Sequence, residues 1–150
     1  MSEHKATISW KRETADFTYQ HYDRTHQWTF EGGVTMKASG AKEFLGNPAL
    51  PNPEDALVAA LSSCHALTFL AIASRKKIIV DSYEDHAFGI MEKNENGMLA
   101  VTKTYLHPKI IFSGDIIPTE EQIIQMHHLA HEGCFIANSV LTKVFVEPII

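Results

Sequence analysis

Residues 60–73 read ALSSCHALTFLAIA, and the fold turns on how this stretch is placed. Its apolar residues are dense enough for the middle of a core helix. At its centre, however, Ser62, Ser63, Cys64 and His65 stand where an ordinary core would carry four more apolar side chains. Burying these groups costs free energy unless each finds a partner, so the fold must supply one for each.

Upstream, Asn52-Pro53-Glu54-Asp55 reads as a helix start. Asn52 is a good N-cap, Pro53 suits the first helical position, and Glu54 and Asp55 put negative charge at the positive end of the dipole. The helix is expected to run to Lys76 or Lys77. Within it, the run from Ala56 to Ala73 is polar only at Ser62, Ser63, His65 and Thr68, in addition to its cysteine. A membrane span interrupted at its centre is disfavoured, because polar groups are most expensive there. The run is therefore read as a helix buried on nearly all sides, with a second subunit covering what one chain cannot.

Around this helix, Ala6–Lys11, His26–Phe30 and Val34–Ala38 read as strands, the last two joined by a Gly-Gly turn. Ile78 onward (IIVDSYEDHAFGIME) predicts one long strand. Asn94-Glu95-Asn96-Gly97 is a hairpin turn in composition, and Met98–Phe112 predicts a returning strand bent at Pro108. A second helix starts at Pro118-Thr119, with Thr119 and Gln122 at capping-box spacing, and Gly133 ends it. Cys134–Leu141 predicts a short final helix and Thr142–Glu147 a closing strand. This order suits a single α+β domain over residues 1–150, with helices against a largely antiparallel sheet.

The 150 residues are 45% hydrophobic, enough for one sizeable core. Thirteen basic against eighteen acidic residues, with no basic run, lack the footprint of a nucleic-acid binder. The N-terminal MSEHKATISWKRETADF has no apolar segment of signal-peptide length, which predicts a cytoplasmic protein whose cysteines start out reduced.

Two cysteines, Cys64 and Cys134, are the candidate chemistry. Cys64 reads either as a small buried hydrophobe or as a reactive thiol, and the second needs a nearby cation or hydrogen-bond donors. His65 lies about 100° round the helix from it and need not touch it. Cys134, following Gly133 at a helix start, would have free backbone N–H groups to favour a thiolate. Glu54 reads as a first-turn carboxylate. It lies about 15 Å along the axis from Cys64, so the two could share a site only if two copies of the helix crossed in a dimer. A rival reading is a zinc site: His127, His131 and Cys134 have i, i+4, i+7 spacing and Cys64 with His65 could complete it. Gly133, which interrupts that face, and the lack of a Cys-x-x-Cys or His-Glu-x-x-His pattern count against it. A further alternative is a non-catalytic dimer that binds a small apolar ligand. His131 also suits the free carbonyls at a helix end.

NPEDALVAALSSCHALTFLAIA, together with AHEGCFIANSVLTKVFVEP, resembles the OsmC/Ohr family of osmotically inducible and organic hydroperoxide resistance proteins, over nearly the whole chain. CHALTFL and CFIANSV are closer to an OsmC-like branch. The resemblance implies an intertwined homodimer of α+β subunits with long central helices, and a thiol-dependent peroxidase without metal or organic cofactor. It implies Cys64 as the peroxidatic thiolate, Cys134 as the resolving cysteine and Glu54 as the carboxylate holding a catalytic arginine. Of the arginines, Arg24 in YDRTHQWTF is chosen, because its loop could reach across a subunit boundary. Arg12 is the reserve, and Arg75 lies at the far end of the helix. Leu61, Leu67, Phe69 and Phe135 are expected to surround the organic part of an alkyl or lipid hydroperoxide. The reductant would be a dithiol such as a lipoylated protein.

Overall fold

The computed structural model describes all residues, 1–150. They form two compact units, Met1–Ala56 and Leu57–Ile150. In the first unit, β1 (Ala6–Ser9), β2 (His26–Phe30) and β3 (Thr35–Ala38) make an antiparallel sheet in the order β1-β2-β3. Gly33 takes a positive φ of 83° in the β2–β3 turn, a conformation that costs other residues a steric penalty.

Helix α1 (Pro53–Arg75) begins in the first unit and continues through the second. Its start is as read from the sequence. The Asp55 backbone N–H donates to Asn52 Oδ1 at 2.8 Å, and Asp55 Oδ2 accepts from the Asn52 N–H in return. Leu61, His65, Phe69 and Ala73, spaced four apart, are its fully buried stripe. In the single chain most of the rest of α1 is not buried: Leu67 is 69% exposed.

The second unit departs from the expected pair of long strands. Ile78–Glu92 is broken into β4 (Ile79–Asp85) and β5 (Phe88–Lys93), and the return into β6 (Leu99–Leu106) and β7 (Pro108–Ser113). β4 pairs with β7 in one antiparallel sheet. β5 pairs antiparallel with β6 in another, where β8 (Lys143–Val146) adds to β6 in parallel. The hairpin therefore switches sheets along its length. The break coincides with Asp85, whose Oδ1 accepts the His107 N–H and takes that group out of the ladder, and with Pro108, which has no N–H to give and stands first in β7. Gly89 marks a close approach: a Cβ there would come within 2.8 Å of Val58 Cγ2 on α1.

Helix α2 (Glu120–Glu132) has the full capping box, with Thr119 Oγ1 accepting from Gln122 N–H and Gln122 Oε1 from Thr119 N–H. Gly133 caps its end. The short helix expected over Cys134–Leu141 is absent; only a single 3-10 turn, Ala137–Ser139, follows. The core joins Phe69 and Ala73 of α1 and Met126 and Ala130 of α2 to Ile78, with Val80, Tyr83, Ile110 and Phe112 of the β4–β7 sheet beneath.

Candidate active site

The four polar residues at the centre of α1 are accommodated separately, because each leaves the helix in a different direction. Ser62 donates its hydroxyl to Asp85 Oδ2. Ser63 faces outward and is exposed. Cys64 is half-buried and meets Cys134, and His65 is buried against His127. The cost of placing polar groups in this helix is thus offset by partners from β4, from α2 and from the turn after α2.

Cys64 and Cys134 are both free thiols, and Cys64 is near enough to influence the ionisation of Cys134. Cys134 is 1% exposed, and the turn that follows α2 holds it closely. Its N–H donates to His131 O at 3.2 Å, its carbonyl accepts from Asn138 N–H at 3.0 Å, and its Sγ accepts from Ala137 N–H at 3.4 Å. Burial pushes the Cys134 thiol above its ordinary pKa and the nearby Cys64 thiol adds to this, while the Ala137 N–H works in the opposite direction. This corrects the expectation that Cys134 opens a helix whose dipole favours its thiolate: no such helix forms, and desolvation dominates. Cys134 is held as a thiol beside its neighbour.

His65 and His127 were not recognised in the sequence as a pair. Their rings stack at 5.3 Å with an interplanar angle of 4°, and His65 Nε2 lies 3.0 Å from His127 Nδ1. Burial lowers the pKa of both to about 4, with the charge of His131 pressing His65 further down and Asp85 partly opposing it. Two neutral imidazoles share one bridging proton, which leaves the outer nitrogens, His65 Nδ1 and His127 Nε2, buried and unpartnered. The periodicity held the signal. His65 continues the Leu61–Phe69–Ala73 stripe of α1, and His127 lies between Met126 and Ala130 on the buried face of α2.

The arrangement does not favour the zinc reading. No three His, Cys, Asp or Glu side chains converge in a geometry that could hold a metal ion, and α2 ends before Cys134. His131 does not cap the helix through its ring either, since its Nδ1 is buried without a partner. Leu61 and Phe69 are fully buried in the core and cannot line a substrate pocket; Leu67 and Phe135 are exposed.

In the first unit, Arg24 is half-buried. Its guanidinium stacks over Tyr22 at 4.0 Å and Tyr19 at 5.0 Å, and donates to the carbonyls of Tyr22 and Tyr19 at 3.0 and 2.6 Å. Arg24 takes part in none of the chain's ion pairs and borders a cavity of about 710 Å³ lined by Trp10, Phe17, Tyr19, Tyr22 and Phe44. Glu54 Oε2 is buried with no partner in the chain. Arg12 is exposed and donates to Thr14 O and Ala15 O, and Arg75 is exposed at the end of α1.

The model of the OsmC-like protein family matches residues 46–148, which span α1, both cysteines and the hairpin that switches sheets. The chain belongs to the OsmC-like family. Its fold is the α+β OsmC-like fold. An OsmC-like protein of unknown function from Vibrio cholerae is 49% identical over 99% of this chain and 100% of its own, with a TM-score of 0.96. Organic hydroperoxide resistance proteins from Elizabethkingia anophelis (19% identity, 99% of this chain and 94% of that one, TM-score 0.73) and Bacillus subtilis (18%, 99% and 98%, 0.67) share the fold. No curated protein matches this OsmC-like chain.

Proposed function

We propose that this OsmC-like protein is a thiol-dependent peroxidase that reduces organic hydroperoxides to alcohols. The observation that carries this reading is the neighbouring pair of free thiols, Cys64 half-buried on α1 and Cys134 buried in the turn after α2. Family members of the same fold are named organic hydroperoxide resistance proteins, which supports it.

The Cys64 thiolate attacks the distal oxygen of the hydroperoxide. The O–O bond breaks, and the alkoxide leaves and takes up a proton as the alcohol, with sulfenic acid formed at Cys64. Cys134 then attacks that sulfur, water leaves carrying the thiol proton, and a Cys64–Cys134 disulfide closes. A dithiol such as a lipoyl group returns both to thiols by exchange. Because the two thiols are already neighbours, closure needs only local movement.

Arg24 is the cation for the thiolate and the peroxide, supplied across a dimer boundary with Glu54 as its carboxylate. A guanidinium without a carboxylate partner and a buried, unpartnered carboxylate oxygen are complementary groups that a second copy would bring together. The aromatic cavity beside Arg24 suits the organic part of the substrate. The second copy would also cover Ala59, Ser63, Leu67 and Leu70, exposed along one side of α1.

Consumption of cumene hydroperoxide with dithiothreitol as reductant tests the reading. Cys64→Ser abolishes turnover, because an alcohol is no comparable nucleophile at neutral pH. Without reductant, Cys134→Ser consumes one equivalent and then gains further oxygen under excess oxidant. Arg24→Ala slows the reaction at least ~10-fold, and Arg12→Ala leaves it near wild type. If both single cysteine variants keep full turnover, the reading fails and Cys64 is a small core hydrophobe.

A further inference from the structure

The hydrogen bonds that hold the segment carrying Cys134 run to α2 and within the turn that follows it. Besides the bonds made by Cys134 itself, the Asn138 side chain donates to Glu132 O at 3.0 Å. The position of the Cys134 sulfur relative to Cys64 is therefore the position of α2 relative to α1. Apolar packing of Met126 and Ala130 against Phe69 and Ala73 attracts the helices but is non-directional and tolerates sliding and rotation. Two features are directional. The His127 ring sits in the notch between His65 and Phe69, one turn apart on α1, with ring centroids at 5.3 and 4.4 Å. The 3.0 Å contact between His65 Nε2 and His127 Nδ1 is the one hydrogen bond between the two helices. Farther along, Gly133 lets the end of α2 come against α1, since a Cβ there would lie 3.2 Å from Thr68 Cγ2, one turn beyond Cys64.

We infer that the His65–His127 pair is a positioning device for the second half of the thiol cycle: by fixing the register of α2 on α1, it holds Cys134 against Cys64. It thereby decides whether a sulfenic acid at Cys64 is resolved or over-oxidised. Neither histidine touches substrate in this role, which rests on the peroxidase reading of the two cysteines. A merely apolar core would tie the helices together without specifying which sulfur positions coincide. The pair specifies it, because the shared proton is made in one register and lost in others.

The full-length protein is treated with cumene hydroperoxide, and the two steps are read separately: first-turnover loss of peroxide, and disulfide closure by intact mass. His127→Leu is expected to keep the first rate within about twofold, slow closure at least ~10-fold and accumulate sulfinic acid at Cys64. His127→Asn puts an amide nitrogen or oxygen where Nδ1 stands and restores most of the closure rate, as His65→Gln does relative to His65→Leu. Gly133→Val leaves the pair intact but displaces the end of α2 from Thr68, and it reproduces the slow closure even if His127→Leu does not fold. A second measurement is independent of peroxide: equilibration with glutathione disulfide gives the effective concentration of the two thiols, expected to fall at least ~10-fold in His127→Leu and to recover in His127→Asn. Wild type that closes the disulfide with glutathione but consumes no peroxide sinks the peroxidase reading alone. Closure rates and effective concentrations equal to wild type in His127→Leu overturn the positioning role, and so does an Asn variant no better than Leu.

Discussion

Lowering the pH should load the His65–His127 pair with protons it cannot accommodate. In the folded protein burial holds both imidazoles at a pKa of about 4, against an ordinary value of 6.5. A depressed histidine pKa means that the unfolded chain binds more protons between these two values, so stability falls as the pH drops through this window. With those two values, one imidazole costs about 2 kcal/mol at pH 5 relative to pH 8, approaching about 3 kcal/mol near pH 4. Asp85 on β4 softens the penalty at His65 and His131 on α2 sharpens it. The assay is urea unfolding at fixed protein concentration between pH 8 and 4.5, for wild type and for the double variant His65→Leu/His127→Leu. Replacing both partners by apolar groups of similar size is expected to be nearly neutral at pH 7. Other titrating groups contribute to both proteins, so the difference between their curves isolates the pair. It should favour the double variant increasingly below pH 6.5. A flat difference down to pH 4.5 would refute the reasoning, since it would mean that the buried imidazoles protonate as readily as free ones.

Two further outcomes follow from packing. Phe69 is fully buried and touches both helices and the β4–β7 sheet through its contacts with His127, Tyr83 and Phe112, so Phe69→Ala should lower unfolding free energy by about 3–5 kcal/mol in chemical denaturation, and a loss below 1 kcal/mol would place it outside the core. Leu67, 69% exposed on α1, should be covered by a second copy; wild type should sediment at about twice 16.8 kDa and Leu67→Glu at the monomer mass, whereas a monomeric wild type would remove the cross-subunit role of Arg24 and Glu54.

Local chemistry was legible before any coordinates. The Asn52 cap, the Thr119–Gln122 capping box, the Gly133 stop and the Gly33 and Gly97 turns each depend on residues a few positions apart, so the sequence by itself determined where both helices begin and where the second ends. The motif around Cys64 and Cys134 likewise identified the family. Distant partners were another matter. That β4–β5 and β6–β7 switch sheets depends on Asp85 meeting His107 and on Pro108 opening β7, while an uninterrupted alternating pattern reads as one long strand. The expected helix at Cys134 gave way to a turn, and with it the argument for a thiolate there, because the tertiary fold buried the sulfur instead. His65 and His127 are each ambiguous in their own helix, where a histidine suits a surface as well as a core. Only the docking of α2 on α1 makes them one hydrogen-bonded pair, because a neutral imidazole becomes affordable in a core when a second one, sixty-two positions away in the chain, supplies the partner it lacks.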